Sequence, residues 1–208
     1  MSRDLGRIIS RTYVELIAIL AEWEDAQSLS ERIFSSLVNA FQRRKEYSEA
    51  HGNLGILSRI EGAEQILQAR LLQSLDKLLT ALNTSVKTFE KLSGRIEDAY
   101  NAFMKEYCQS SSDIEFDSLW ISEDHSPSST ARAIEWMGDI TSFAQKELEL
   151  KQYLAADANC TNINSIAEMW CTQPFLCCDR IRDRIEEMKL VSASFVASSP
   201  KFKPDSKY

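Results

Sequence analysis

The run "LLQSLDKLLTALNTSVKTFEKLSGRIEDAYNAF", Leu71 to Phe103, decides the fold. Within it Leu71, Leu75, Leu78, Leu82, Ser85, Phe89, Leu92, Ile96, Ala99 and Phe103 step by four and three residues in strict alternation. A helix with that heptad repeat carries one apolar seam, which must be buried against a partner stripe in a left-handed supercoil. Ile60 and Leu67 before the run and Tyr107 after it extend the expected helix to residues 57–108. Gly62 and Gly94 would each cost it ~1 kcal/mol relative to alanine. Ser85 and Ala99 are small for seam positions, which suits three or four packed helices better than a tight two-stranded zipper.

Working back from the seam, "EAHGNLG" (Glu49 to Gly55) holds two of the six glycines, Gly52 and Gly55. It reads as the turn that ends an earlier helix, since glycine takes the left-handed backbone of a helix stop. That earlier helix spans residues 5–50. Its stripe is Ile9, Tyr13, Leu16, Leu20, Trp23, Leu29 or Ser30, Ile33, Leu37 and Phe41, with Arg43, Arg44 and Lys45 near its end. Folded back through the turn, it is the simplest partner for the seam; a helix from another chain satisfies the same pattern.

Forward of the seam, residues 109–129, "QSSSDIEFDSLWISEDHSPSS", have the composition of an acidic, serine-rich linker. Ile114, Phe116, Leu119, Trp120 and Ile121 within it would strap across the protein's own helices or form a docking peptide. Ser128 or Ser129, just after Pro127, suits the N-cap of a third helix with the stripe Ile134, Met137, Ile140 or Thr141, Ala144 and Leu148. "QKELELKQYL" reads as an ordinary solvated helix face. After the loop "DANCTNIN", Ser165 with Glu168 resembles a capping box opening another helix. Pro174 breaks that helix, and Asp179 to Leu190 forms a last short one. From Val191 onward too little is left to bury, and disorder is expected. The expected organisation is therefore a helical hairpin or coiled coil over 1–108, the linker 109–129, a C-terminal helical region 130–191 and a disordered tail 192–208. The fold class is all-α: an elongated antiparallel coiled coil or helical bundle with a short C-terminal helical segment.

Composition narrows the function. The 208 residues carry 31 acidic and 24 basic side chains, a net charge of −7. A protein that grips phosphate backbones needs a basic face, and the only basic cluster is Arg43-Arg44-Lys45, so no direct nucleic-acid binding is expected. No window reaches the roughly 18 apolar residues of a membrane span, and the N-terminus lacks the continuous apolar core of a signal peptide; an intracellular protein is expected. The five cysteines (108, 160, 171, 177 and 178) are odd in number and lack CxxC spacing, unlike a secreted disulfide framework. They are expected to be buried core thiols. Zinc would need recognisable ligand pairs, which Cys171, Cys177 and Cys178 do not form.

Catalytic motifs are lacking. His51 and His125 sit in the glycine turn and the linker, away from any nucleophile or metal-ligand pattern, and no phosphate-binding glycine loop occurs. No enzymatic activity, cofactor or metal is expected. Ser126-Pro127 and Ser199-Pro200 are minimal proline-directed phosphorylation patterns. At the Pro174 break, Trp170, Gln173, Pro174 and Phe175 gather aromatics around an amide, either filling a corner between helices or anchoring a partner, because Trp and its aromatic neighbours dominate binding hot spots. Trp23 and Trp136 lie on the stripes, where core packing is expected; Trp136 joins the corner residues as a candidate partner contact.

These residues resemble a known family. "MWCTQPF" (Met169 to Phe175) is similar to the Met-Trp-x-x-Gln-Pro-aromatic motif near the end of the cyclin-dependent kinase 2-interacting protein family, CINP. "KELELK" (Lys146 to Lys151), "FEKLSG" (Phe89 to Gly94) and "ILAEWE" (Ile19 to Glu24) resemble other stretches of that family in the same order. The cysteines depart from it. "IEWMGDI" (Ile134 to Ile140) looks at least as much like a sister helical protein, a ribosome-maturation factor that partners CINP. The resemblance implies a non-enzymatic adaptor that pairs with a sister helical subunit and an AAA-type ATPase. It also implies roles in large-ribosomal-subunit maturation and in DNA replication and checkpoint control, with links to cyclin-dependent kinase complexes and replication factors. A coiled-coil subunit of a membrane-tethering or kinetochore complex would show the same heptads, and a helical metal or redox protein would use the cysteine cluster.

Overall fold

A computed structural model describes residues 3–49, 55, 59–111, 130–159 and 161–198. Every regular element among them is a helix: α1 (Arg3–Glu49), α2 (Ala63–Ser111), α3 (Thr130–Asp157), α4 (Ile163–Thr172) and α5 (Asp179–Ser198). The chain is an all-α helical bundle. None of these helices is long and apolar enough to cross a membrane.

The seam of α2 does what its period requires. Leu75, Leu82, Ser85, Phe89, Leu92, Ile96, Ala99 and Phe103 are all buried, while Leu71 and Leu78 at its start are half-buried. On α1, Ile9, Tyr13, Leu16, Leu20, Trp23, Leu37 and Phe41 are buried. Between Leu29 and Ser30, the stripe runs through Ser30, which is fully buried, while Leu29 faces out. Phe34 is buried where Ile33 was expected to carry the stripe.

The residues sort into two compact units. One takes residues 1–21, 94–144 and 176–208; the other takes 22–93 and 145–175. In the first, the core is built from Ile9, Tyr13 and Leu16 of α1, Ile96 and Phe103 of α2, Trp136, Met137 and Ile140 of α3, and Ile181 and Met188 of α5. An Arg11–Glu106 ion pair joins α1 to α2 there at 2.6 Å. In the second, Trp23 packs on Phe89 and the Tyr47 hydroxyl donates to the Glu64 carbonyl, so α1 and α2 run antiparallel. Trp170 of α4 and Leu154 of α3 complete that core.

Several boundaries differ from expectation, each for a local reason. Gly62 is not inside a helix: its φ of +74° is the left-handed backbone glycine tolerates, and α2 starts one residue later, leaving Ile60 outside and exposed. Gly55 likewise has φ +59°. At its other end α2 continues through 109–111, the first three residues assigned to the linker. The helix α4 opens at Ile163 after Asn162, two residues before the Ser165–Glu168 box, and Asn162 spends its side-chain oxygen on the Asn159 amide instead of on the helix. Most consequentially, α5 does not stop at Leu190. It runs to Ser198 because Val191 and Ser192 are buried, with the Ser192 hydroxyl donating to the Met188 carbonyl; residues 192–198 are helical rather than a disordered tail. Outside the described residues lie His51, Gly52, Cys160 and the docking candidates Ile114, Phe116, Leu119, Trp120 and Ile121. The same is true of His125, Ser126-Pro127 and Ser199-Pro200.

Candidate functional site

In the second unit the Pro174 break folds into a buried corner. α4 ends at Thr172, and Gln173 takes a left-handed conformation (φ 42°, ψ 62°), uncommon for a residue with a side chain and doubly so before proline. Its side chain explains the choice: Gln173 Oε1 accepts the Trp23 indole N–H at 3.0 Å, satisfying a buried donor that would otherwise cost about 1–3 kcal/mol. Trp170 is fully buried, packed against Phe34 and Phe89, and its indole N–H donates to Ser30 Oγ at 2.8 Å. The Ser30 hydroxyl in turn donates to the Gln27 carbonyl.

Behind these rings lies an ion pair that the sequence reading put in solvent. "QKELELKQYL" is solvated on one side only: Lys146, Glu149 and Gln152 are exposed, but Lys151 is 0% exposed and Glu147 1%. Lys151 Nζ donates to Gln27 Oε1 at 2.6 Å, lies 3.7 Å from Glu147 Oε1, and sits 4.4 Å and 4.8 Å from the Trp170 and Phe89 ring centres. Two aromatic faces therefore replace part of the lost water shell. Glu147 Oε2 accepts the Phe175 backbone N–H at 3.0 Å, and Gln27 Nε2 donates to both the Trp170 carbonyl and Glu31 Oε1 at 2.9 Å. Burial pulls the Lys151 ammonium down to about 8 from its ordinary 10.5, against the opposing pull of Glu147.

A signal for this network was present. On α3 the stripe Met137, Ile140, Ala144 continues in phase through Glu147, Lys151 and Leu154, and on α1 Gln27 and Ser30 stand in phase between Trp23 and Phe34. Polar residues on core positions of a heptad mark a buried polar contact; following Leu148 instead of Glu147 hid it.

The expected partner-binding residues thus divide. Trp170 and Gln173 face inward, Pro174 is exposed and Phe175 half-buried, with exposed Met169 on the last turn of α4. Trp136 is 4% exposed in the first unit, its ring stacked on Tyr13 and overlain by Arg132. The described cysteines are not core thiols. Cys108, Cys171 and Cys177 are exposed and Cys178 is half-buried, while at the Pro174 turn Trp170 and Gln173 take the interior positions. Burial and the Glu31 carboxylate still push the Cys171 thiol up, which keeps it protonated and weakly nucleophilic. Among the described residues no three His, Cys, Asp or Glu side chains gather as a metal site would need.

A second feature belongs to the first unit. Arg132, Glu135 and Trp136 of α3 and Arg180, Asp183, Arg184 and Glu187 of α5 line a cleft of about 280 Å³. Arg184 pairs with Glu135 at 2.8 Å and with Asp139, and Arg180 pairs with Asp139 at 2.7 Å.

Residues 7–194 match the model of the family described as ribosome biogenesis protein C1orf109-like. That span is nearly the whole chain, and the protein belongs to this family. No curated protein matches it. The family agrees with the ribosome-maturation half of the sequence reading, where "IEWMGDI" pointed, whereas the narrower CINP assignment from "MWCTQPF" is not what the family model matches.

Proposed function

We propose that this member of a ribosome biogenesis family acts as a non-enzymatic adaptor in nucleus and cytoplasm, pairing with a second helical subunit of the CINP type and with it positioning an AAA-type ATPase. The observation that carries the reading is the bare beginning of the α2 seam. Leu67, Leu71, Leu72, Leu75, Leu78 and Leu79 fall within a single arc of the helix, yet only Leu75 is buried. Leu72 is 46% exposed, and the others are half-buried. Further along the same seam, Leu82, Phe89 and Leu92 are fully covered. A heptad stripe only partly covered over two turns is what a partner helix packs into by knobs and holes. Pro174, Phe175 and Met169 offer a smaller exposed apolar group in the same unit.

The experiment is affinity purification of the tagged full-length protein from its own cells, beside a Leu72→Lys/Leu79→Lys variant. The wild type should bring down a small helical protein and an ATPase in near-equal amounts with pre-ribosomal particles. The variant should lose the helical partner while its own melting temperature shifts by no more than a few degrees. Retention of every partner by a folded variant would refute this face as the docking surface.

A further inference from the structure

The seam of α2 loses its cover for a reason written in α1. In the second unit α1 turns Phe34, Leu37 and Phe41 inward, all of them buried. The next positions in phase fall on Arg44 or Lys45 and then on Ser48, and all three are exposed. The two helices nevertheless run on side by side to the Tyr47–Glu64 contact, so the first leucines of α2 have a polar stretch of α1 for a neighbour. Leu67, Leu71, Leu78 and Leu79 therefore stay half-buried and Leu72 is 46% exposed. Apolar side chains on those last turns of α1 would have closed the stripe within the chain.

The border of the stripe is basic. Arg70 and Lys77 are exposed on one edge of it, two turns apart on α2, and neither has an ion pair or hydrogen bond among the described residues. Arg44 on α1 is likewise exposed and unpaired, and Lys45 reaches only Glu49, at 3.9 Å and well into solvent. The acids at this end are placed otherwise. Glu46 accepts from Gln42 Nε2 at 2.9 Å, and Glu61 and Glu64 stand at the start of α2, where carboxylates suit the helix dipole. Asp76 lies on the opposite edge of the stripe from Arg70 and Lys77. In a chain of net charge −7, two unpaired arginines and a lysine beside half-covered leucine run against the general balance.

We propose, resting on the adaptor reading of this face, that it receives an acidic amphipathic helix of a partner protein. The apolar side of that helix lies on the half-covered leucines, and its flanking carboxylates stand beside Arg70, Lys77 and the Arg44–Lys45 turn of α1. In helix pairs of this kind the apolar seam supplies affinity and the charges along its edges choose the partner. A basic helix would be repelled by the edge cations. A second copy fits no better, because a two-fold antiparallel pair sets the Arg70–Lys77 edge against its own image.

The test is fluorescence anisotropy of the purified full-length chain at physiological salt. The probe is a labelled amphipathic helix of three heptads with leucine at a and d and glutamate at e and g, beside a copy with lysine at e and g. The wild type should bind the glutamate helix about tenfold more tightly than the lysine one. Arg70→Glu/Lys77→Glu should abolish or reverse that preference at an unchanged melting temperature, since neither cation holds an internal pair. Lys87→Glu/Lys91→Glu makes the same change at exposed positions of α2 away from the stripe and should keep the preference. No preference in the wild type, or equal loss in the two double variants, would overturn the acidic helix. So would phosphatidylcholine–phosphatidylserine vesicles bound with the same dependence on Arg70 and Lys77, which would make the occupant a membrane surface. A chain that sediments as a dimer dispersed by Leu72→Lys would overturn it too, in favour of a second copy. A peptide preference that tracks Arg70 and Lys77, while Leu72→Lys/Leu79→Lys retains every cellular partner, would remove the adaptor reading and leave the surface chemistry. The reverse pattern would leave the adaptor reading and remove the acidic helix.

Discussion

Lys151 is a residue whose chemistry folding alters sharply. Its ammonium titrates near 8 in the folded chain and near 10.5 when unfolded, because burial outweighs the attraction of Glu147. Between those values the unfolded chain keeps a proton that the folded one has released, so stability rises with pH from about 8 to about 10.5. Below 8 the buried charge is a standing cost. Unfolding free energies from urea titrations across that range should climb in the wild type, by on the order of a few kcal/mol in all, and the lysine-specific part of the climb should vanish in Lys151→Met. At neutral pH the same variant should lose roughly 3–5 kcal/mol, because Glu147 is left buried and unpaired, and adding Glu147→Gln should restore much of it. An identical pH slope in wild type and variant would place the titration elsewhere. Trp170→Ala belongs to the same neighbourhood. It should cost about 3–5 kcal/mol with no partner present, and a calorimetric scan showing an unchanged melting temperature would contradict the corner's role as core.

Among the elements, α5 carries the clearest consequence. Its last two turns extend past the point where the composition stops looking like a helix, and they hold because Val191 and Ser192 reach the interior of the first unit. Truncation after Leu190 should lower stability by on the order of 2 kcal/mol, the value of one buried aliphatic side chain. Truncation after Ser198, which keeps those turns, is the reference. Equal melting curves for the two truncations would show that the turns add nothing. α2 behaves in the opposite way: its seam is satisfied from Leu82 onward and open at Leu71 and Leu78, so an element can fold fully on part of its own apolar face.

For the molecule as a whole, legibility in the sequence followed the regularity of the pattern. The heptads from Leu71 to Phe103 were enough for an all-α bundle, but not for the identity of the partner stripe: α1 folded back and a helix from another chain fitted equally, and the Trp23–Phe89 contact is what shows the first. The candidate site was less legible. Trp170, Gln173 and Pro174 stood out by residue type, but the direction each faces depends on one left-handed residue, which nothing short of the folded corner reveals. Glu147 and Lys151 were hidden by a sound prior, that mixed charge at helical spacing lies in water. The cysteines misled through a similar prior about burial. Function was least legible. No motif names ribosome biogenesis, and it entered through resemblance and the family match over residues 7–194.

The corner in the second unit has a bearing on how this family can diverge. Gln27 on α1, Glu147 and Lys151 on α3 and Trp170 on α4 form one closed account of donors, acceptors and charge, drawn from three separate helices. A mutation at any one of them strands the others in the interior, so selection sees a loss before it can see a replacement. Drift at these positions is then constrained to linked changes, such as an apolar pair taking the place of Glu147 and Lys151 together. Exposed positions that touch neither this network nor a partner carry no such constraint.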